Sequence, residues 1–267
     1  MSSNDLFKSA RLKIDRASEH IADVNKVLSE ERPFRYILET DAKTGRRSTY
    51  AERNEAVIDR LSLRSSDAVQ NLRDAIDHAY SAVVGPFAKT TREERAIQFP
   101  FSETAARLQE AAHNRLAHRV SPEFRDAILA LKPHGEPGGN KLLYFMSALN
   151  NPGKHAALIP IGYFVEMRVG EVRKRAIPDF CPGVTDDSTF CFGQNRVDVS
   201  WPGQRFSLND WIINRVPANG ILKQEVDIPV DVSFEGRTDG SLMLTIPTLY
   251  QFVDVAKHVV SVISRFA

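Results

Sequence analysis

Residues 66–84 read SDAVQNLRDAIDHAYSAVV, and the fold is organised around this stretch. Its apolar residues recur at steps of three and four, which predicts an amphipathic helix with one face in a core. These residues are Ala68, Leu72, Ala75, Ile76, Ala79 and Val83. Residues 65–67 supply candidate N-caps, and Gly85-Pro86 supplies a stop. We therefore expect a helix over residues 66–84.

A second stripe of the same helix is polar and has the same spacing. It consists of Asp67, Asn71, Asp74, His78 and Ser81. Arg73 and Asp77 stand one turn apart and can pair, and Asp74 could fix the tautomer of His78 in the same way. The stripe indicates either a functional site or a buried ion-pair network that locks helices together.

Composition narrows the class of protein. With 267 residues, of which 42% are hydrophobic, the chain can bury a substantial core. A formal net charge of +1 argues against coating nucleic acid through bulk charge. Cys181 and Cys191 lack metal-ligand or redox spacing, so we expect no metal and no cofactor. No signal peptide and no apolar run near the roughly 20 residues of a membrane span are visible, which predicts a cytoplasmic protein without a membrane partner.

Helical and strand-like patterns occupy different parts of the chain. We expect a helical bundle over residues 1–155, with a short β-hairpin arm near residues 34–58. Residues 156–246 contain short alternating runs typical of strands, including a hairpin around a polar turn at 235–240. Residues 247–267 carry an apolar stripe that predicts a last helix packing back on the bundle. The predicted class is α+β: a helical bundle with a β-rich insertion before the C-terminal helix.

The segment from Arg73 to His78 has the form Arg-x4-His on a core helix of an α-rich region. In this it resembles the HEPN superfamily of small helical bundles. The resemblance implies a metal-independent endoribonuclease of a toxin or defence system that binds RNA or a nucleotide as a homodimer. It implies that Arg73 holds the scissile phosphate and that His78 is the acid–base group, with Asp77 beside them. An imidazole and a guanidinium can perform this chemistry without a metal.

The first 160 residues also resemble a group of bacterial proteins with four segments in a fixed order. Here these segments are an Arg-x3-His step at residues 16–20, NLRDAIDH at 71–78, FPF at 99–101 and LNNPGKH at 149–155. The order of the segments carries the resemblance, which implies no activity by itself. Asn71 is included among the candidate substrate-binding residues.

The turn after residue 149 presents an amide, a cation and an imidazole together, from Asn151, Lys154 and His155. These side chains could complete a phosphate site, and we expect Lys154 and His155 to lie near His78 if the two helices pack in parallel. The alternative is that the asparagines cap the helix and Lys154 complements its negative end.

A second hypothesis for the whole chain is a non-catalytic binding or scaffold module whose β-rich region contacts a protein partner.

Overall fold

The computed structural model describes residues 5–41, 43–44, 46–149, 161–175, 178, 183–192, 199–202, 221–226, 231–234 and 245–267. The predicted α+β class is confirmed, because these residues contain both helices and antiparallel sheets. The helices are α1 (Lys8–Glu30), α2 (Glu55–Val84), α3 (Thr91–Ala96), α4 (Ala105–Asn114), α5 (Ala117–Val120), α6 (Pro122–Ala130), α7 (Lys141–Leu149), α8 (Val169–Arg175) and α9 (Thr245–Ser264). The strands are β1 (Phe34–Asp41), β2 (Arg46–Arg53), β3 (Ile161–Arg168), β4 (Thr189–Phe192), β5 (Val199–Pro202), β6 (Ile221–Val226) and β7 (Asp231–Phe234). Within these ranges, no helix has the length and apolar character that crossing a membrane requires.

The chain divides into two compact units. The helical unit consists of Met1–Val27, Leu61–Ile159 and Ile246–Ala267. The sheet unit consists of Leu28–Arg60 and Pro160–Thr245 and contains both sheets.

The core of the helical unit follows the predicted periodicity of α2. Ala68, Leu72, Ala75, Ile76 and Ala79 are all fully buried. Apolar residues of α1 at the same spacing are buried as well: Ala10, Ile14, Ala17, Ile21 and Val24. Two ring contacts hold the C-terminal residues to the rest of the unit. Phe252 of α9 lies 5.9 Å from Phe145 of α7, and Phe266 lies 5.3 Å from Phe124 of α6, measured between ring centroids.

The start of α2 differs from the sequence prediction. The helix begins at Glu55, and not at the serines near residue 65. Val57, Ile58 and Leu61 are buried, so the apolar face extends upstream. Ser66 does not cap the helix; its hydroxyl donates to the carbonyl of Ser62 at 2.8 Å, a bond that leaves the helix uninterrupted.

The predicted hairpin arm is present, but its assignment to the bundle was wrong. Strands β1 and β2 pair antiparallel and form the centre of a four-stranded sheet in the order β5-β2-β1-β6. Tyr36 of β1 stands opposite Ala51 of β2 and Val226 of β6. A two-stranded hairpin alone is only marginally stable in water, and pairing on both sides completes its ladders. The hairpin therefore belongs to the sheet unit.

The remaining strands form a three-stranded antiparallel sheet in the order β4-β3-β7. Val232 and Phe234 of β7 are both buried, as residues two apart on one face of a strand can be. In the predicted hairpin around residues 235–240, the turn and the second strand lie outside the described residues. The observed partner of β7 is β3.

Side chains cap helices of the helical unit at their N-termini. Ser121 accepts from the backbone N–H of Phe124 at 3.1 Å, and Asn140 accepts from that of Leu143 at 3.0 Å. Thr104 caps helix α4 by accepting from Arg107 N–H at 3.2 Å. Residues 99–101 lie outside the helices and strands, and we call them the FPF segment.

Candidate functional site

Arg73 and Asp77 of α2 hold the FPF segment in place. The Arg73 Nε donates to Asp77 Oδ2 at 3.2 Å, and the other Asp77 oxygen accepts from Phe99 N–H at 2.8 Å. The two terminal nitrogens of Arg73 donate to Ser147 Oγ at 3.0 Å and to the Phe99 carbonyl at 3.4 Å. The guanidinium carbon lies 3.8 Å from the centroid of the Phe101 ring, a cation–π contact. Each guanidinium nitrogen therefore has a partner inside the helical unit.

Burial dominates the electrostatics of this pair. The Arg73 and Asp77 side chains are 14% and 23% exposed. Burial lowers the pKa of Arg73, and burial raises the pKa of Asp77 although Arg73 attracts its charged form. Removal from water thus costs the two charges more than their attraction returns. Removing one partner of this pair should therefore destabilise the protein strongly, although the intact pair contributes little to stability.

His78 is exposed and points away from Arg73. The two are five positions apart along α2, so their directions on an ideal helix differ by about 140°. No hydrogen bond joins them or joins His78 to Asp74 among the described residues, so the expected Asp74–His78 pair is not formed. His78 Nδ1 instead lies 2.7 Å from the hydroxyl of Ser9, on α1. Arg73 and His78 of one chain are therefore not brought together.

The polar stripe of α2 faces polar residues of α1 across the antiparallel seam between the two helices. Each step forward along α1 is matched by an equal step back along α2. The facing pairs are Ser9–His78 at 2.7 Å, Lys13–Asp74 at 2.8 Å, His20–Asp67 at 3.9 Å and Asp23–Arg64 at 3.9 Å. We call these four pairs the seam ladder. It explains why Asp67, Asp74 and His78 of the stripe are polar, because each of them faces a polar or charged side chain of α1.

In the middle of the seam ladder, the facing residues Arg16 and Asn71 do not pair with each other. By the same register Arg16 faces Asn71, but Arg16 pairs with Glu19 on its own helix at 2.6 Å. The Asn71 amide donates to the carbonyl of Asp67 at 2.8 Å. Among the described residues, no hydrogen bond joins Asn71, a predicted substrate-binding residue, to the side chain of Arg73 or of His78.

His20, the last residue of the Arg-x3-His step, lies in α1. It is 6% exposed, and its Nδ1 has no hydrogen-bond partner among the described residues. Burial lowers its pKa, with smaller opposing contributions from nearby charges. Its closest acidic group is the Asp67 carboxylate of the seam ladder.

The other predicted binding residues, Asn151, Lys154 and His155, lie outside the described residues, and so does the expected approach of Lys154 and His155 to His78. Ser147, in the last turn of α7, contacts Arg73. Among the side chains that the structure describes, no three His, Cys, Asp or Glu residues group as metal ligands would. The side chains of Cys181 and Cys191 are not among them.

Sequence reasoning missed Ser9 and Lys13 as neighbours of the polar stripe. A signal was present, because Ser9, Lys13, Arg16, His20 and Asp23 repeat at steps of four and three, like the stripe that they face. Ser147 carried no signal of its own.

Comparison of the chain with known proteins gave no match among family models, curated proteins or solved structures.

Proposed function

We propose that this chain is a HEPN-like protein that cleaves RNA without a metal ion, with His78 as the acid–base group. The observation that carries the proposal is the position of His78: it is exposed on a buried helix, with Nδ1 held 2.7 Å from Ser9 Oγ. Holding one ring nitrogen fixes the direction of the ring and leaves Nε2 for a substrate. The Arg-x4-His form of the segment supports the same proposal, as do the helices around it.

In the proposed reaction, Nε2 of neutral His78 removes the proton of an RNA 2′-hydroxyl. The 2′-oxygen then bonds to phosphorus, and the bond from phosphorus to the 5′-oxygen breaks. The departing oxygen takes a proton from water, and the imidazolium returns its proton to solvent. The products are a 2′,3′-cyclic phosphate and a 5′-hydroxyl, so protons and charge balance without a metal or a further reactant.

The proposal assigns Arg73 and Asp77 a positioning role. They hold the FPF segment and α7 against α2, and the partners of the guanidinium leave it little capacity for a phosphate. Asn151, Lys154 and His155 stay candidates for substrate binding, and a homodimer stays part of the proposal. The biological setting, toxin or defence, follows from the resemblance alone.

The test is cleavage of single-stranded RNA in EDTA by the parent protein and by His78→Ala. The variant should lose about 10²- to 10⁴-fold in kcat/KM, the usual contribution of a general acid–base group. His258→Ala is the matched control, because His258 is also an exposed helical histidine, on α9. Equal cleavage by parent and His78→Ala would end the proposal.

A second candidate function is the non-catalytic binding module. The observation that favours it is the complete engagement of Arg73, which leaves the motif without an available guanidinium. The Arg73–Asp77 pair then acts only on folding, because breaking a buried ion pair is strongly destabilising. This candidate predicts that the parent cleaves no RNA in the same assay and that Arg73 variants change stability only.

A further inference from the structure

The pair next to Ser9–His78 on the seam ladder is Lys13–Asp74, and Lys13 is a cation outside the Arg-x4-His motif. Lys13 Nζ donates to Asp74 Oδ2 at 2.8 Å, and its side chain is 34% exposed. Gln70 donates to the other oxygen of Asp74 at 2.6 Å, which fixes the carboxylate that holds the ammonium. An ammonium has three donors, so two are left after the bond to Asp74.

The two neighbouring pairs stand one helical turn apart on both helices. Lys13 follows Ser9 by four residues on α1, and Asp74 precedes His78 by four on α2. Four residues correspond to a rise of about 6 Å along each helix, so the two pairs are neighbours on the same seam. This spacing suits a phosphodiester group whose 2′-hydroxyl faces the imidazole.

We infer that the site of the proposed ribonuclease lies across the α1–α2 seam: Ser9 positions His78, and Lys13 contacts the scissile phosphate. This inference rests on the proposed function and changes which residues perform it. The inferred site requires that Ser9 Oγ accept from His78 Nδ1–H across the 2.7 Å contact, which places the lone pair of the neutral imidazole on Nε2, where it can accept the 2′-hydroxyl proton. Lys13 supplies the charge that Arg73, engaged with Asp77, cannot supply.

The positioning role of Ser9 is tested by the tautomer of His78. In ¹⁵N NMR spectra, neutral His78 of the parent should carry its proton on Nδ1. Ser9→Ala should mix the tautomers and lower kcat/KM about 2- to 10-fold, the usual net effect of one hydrogen bond. Ser9→Thr keeps the hydroxyl and should restore both readouts. A parent ring protonated on Nε2, or a tautomer that Ser9→Ala does not change, overturns the positioning role whatever the activity.

The phosphate contact of Lys13 is tested by the salt dependence of binding to 2′-O-methyl RNA, which cannot be cleaved by this route. Lys13→Ala should weaken binding and flatten the plot of log affinity against log salt by about 0.7, the slope of one phosphate contact on a single strand. Asp74→Asn frees the ammonium and should strengthen binding. Lys257→Ala removes an exposed lysine of α9 and should leave the slope unchanged.

The outcomes separate the inference from the function on which it rests. If His78→Ala abolishes cleavage while Ser9→Ala and Lys13→Ala cleave like the parent, the cross-seam site is wrong and the ribonuclease stands. If His78→Ala cleaves like the parent, or the parent cleaves no RNA, both fail. Circular dichroism of each variant establishes that a loss of cleavage is not a loss of folding.

Discussion

Replacing Asp77 with alanine should destabilise the helical unit far more than the geometry of the ion pair alone suggests. The substitution leaves the Arg73 guanidinium, 14% exposed, without its carboxylate, and it removes the acceptor of Phe99 N–H. Breaking a buried pair in this way costs about 3–5 kcal/mol, because one charge remains in a poorly solvated site.

The chain contains a matched control for this substitution. Glu103 and Arg107 are also four residues apart and also 3.2 Å from each other, but their side chains are 74% and 69% exposed. Glu103→Ala should therefore cost only about 0.3–0.5 kcal/mol. Spacing and distance are the same in the two pairs, so the difference measures burial together with the loss of the acceptor of Phe99 N–H.

The assay is urea unfolding followed by far-UV circular dichroism, together with hydrogen exchange of the Phe99 amide. In Asp77→Ala this amide should exchange faster, because its acceptor is gone. The double variant Arg73→Met, Asp77→Ala removes the stranded charge and should recover part of the lost stability. The reasoning is refuted if Asp77→Ala costs no more than Glu103→Ala, or if the double variant is no more stable than the single one.

Burial lowers the pKa of His20 in the folded protein, so below about pH 6.5 the unfolded chain binds more protons and the protein becomes less stable as the pH is lowered. Thermal melts of His20→Gln should show a smaller loss of stability at low pH, and an unchanged pH dependence would exclude the effect. Gly139→Ala places a Cβ 2.1 Å from the backbone oxygen of His134 and should lower the free energy of unfolding in urea by about 1–3 kcal/mol. Gly85→Ala is the control, because its Cβ meets nothing within 4 Å, and it should be neutral or stabilising. Equal losses of stability in the two variants would contradict the steric reasoning. Hydrogen bonds from Arg119 lower the pKa of Glu93 to about 2, so this pair stabilises the fold above the unfolded pKa of 4.5 and the benefit is lost as pH falls toward 2. Glu93→Gln should flatten acid unfolding in that range, and an unaltered acid limb would refute the assignment.

The sequence was sufficient to predict features that depend on residues close together in the chain, such as a helical face or a helix cap. The three- and four-residue spacing of Leu72, Ile76 and Ala79 was sufficient to predict a buried helical face, because periodicity decides which side of a helix can leave water. Ser121 and Asn140 were readable as caps, since a cap bonds within its own turn. The residue types along α2 likewise marked the polar stripe and, beside it, Arg73 and Asp77 as a pair.

Tertiary structure decided the features that depend on which distant residues meet. Strand β1 pairs with β6, far along the chain, and nothing in either strand specifies that register to a reader of the sequence. The bond between Ser9 and His78 joins residues 69 positions apart, and it exists because α1 and α2 pack antiparallel in one register. A shift of one turn would give His78 a different partner. Sequence therefore fixed which chemical groups line the stripe, while helix packing, a sum of many non-local contacts, decided that His78 faces Ser9 and that Arg73 faces the FPF segment.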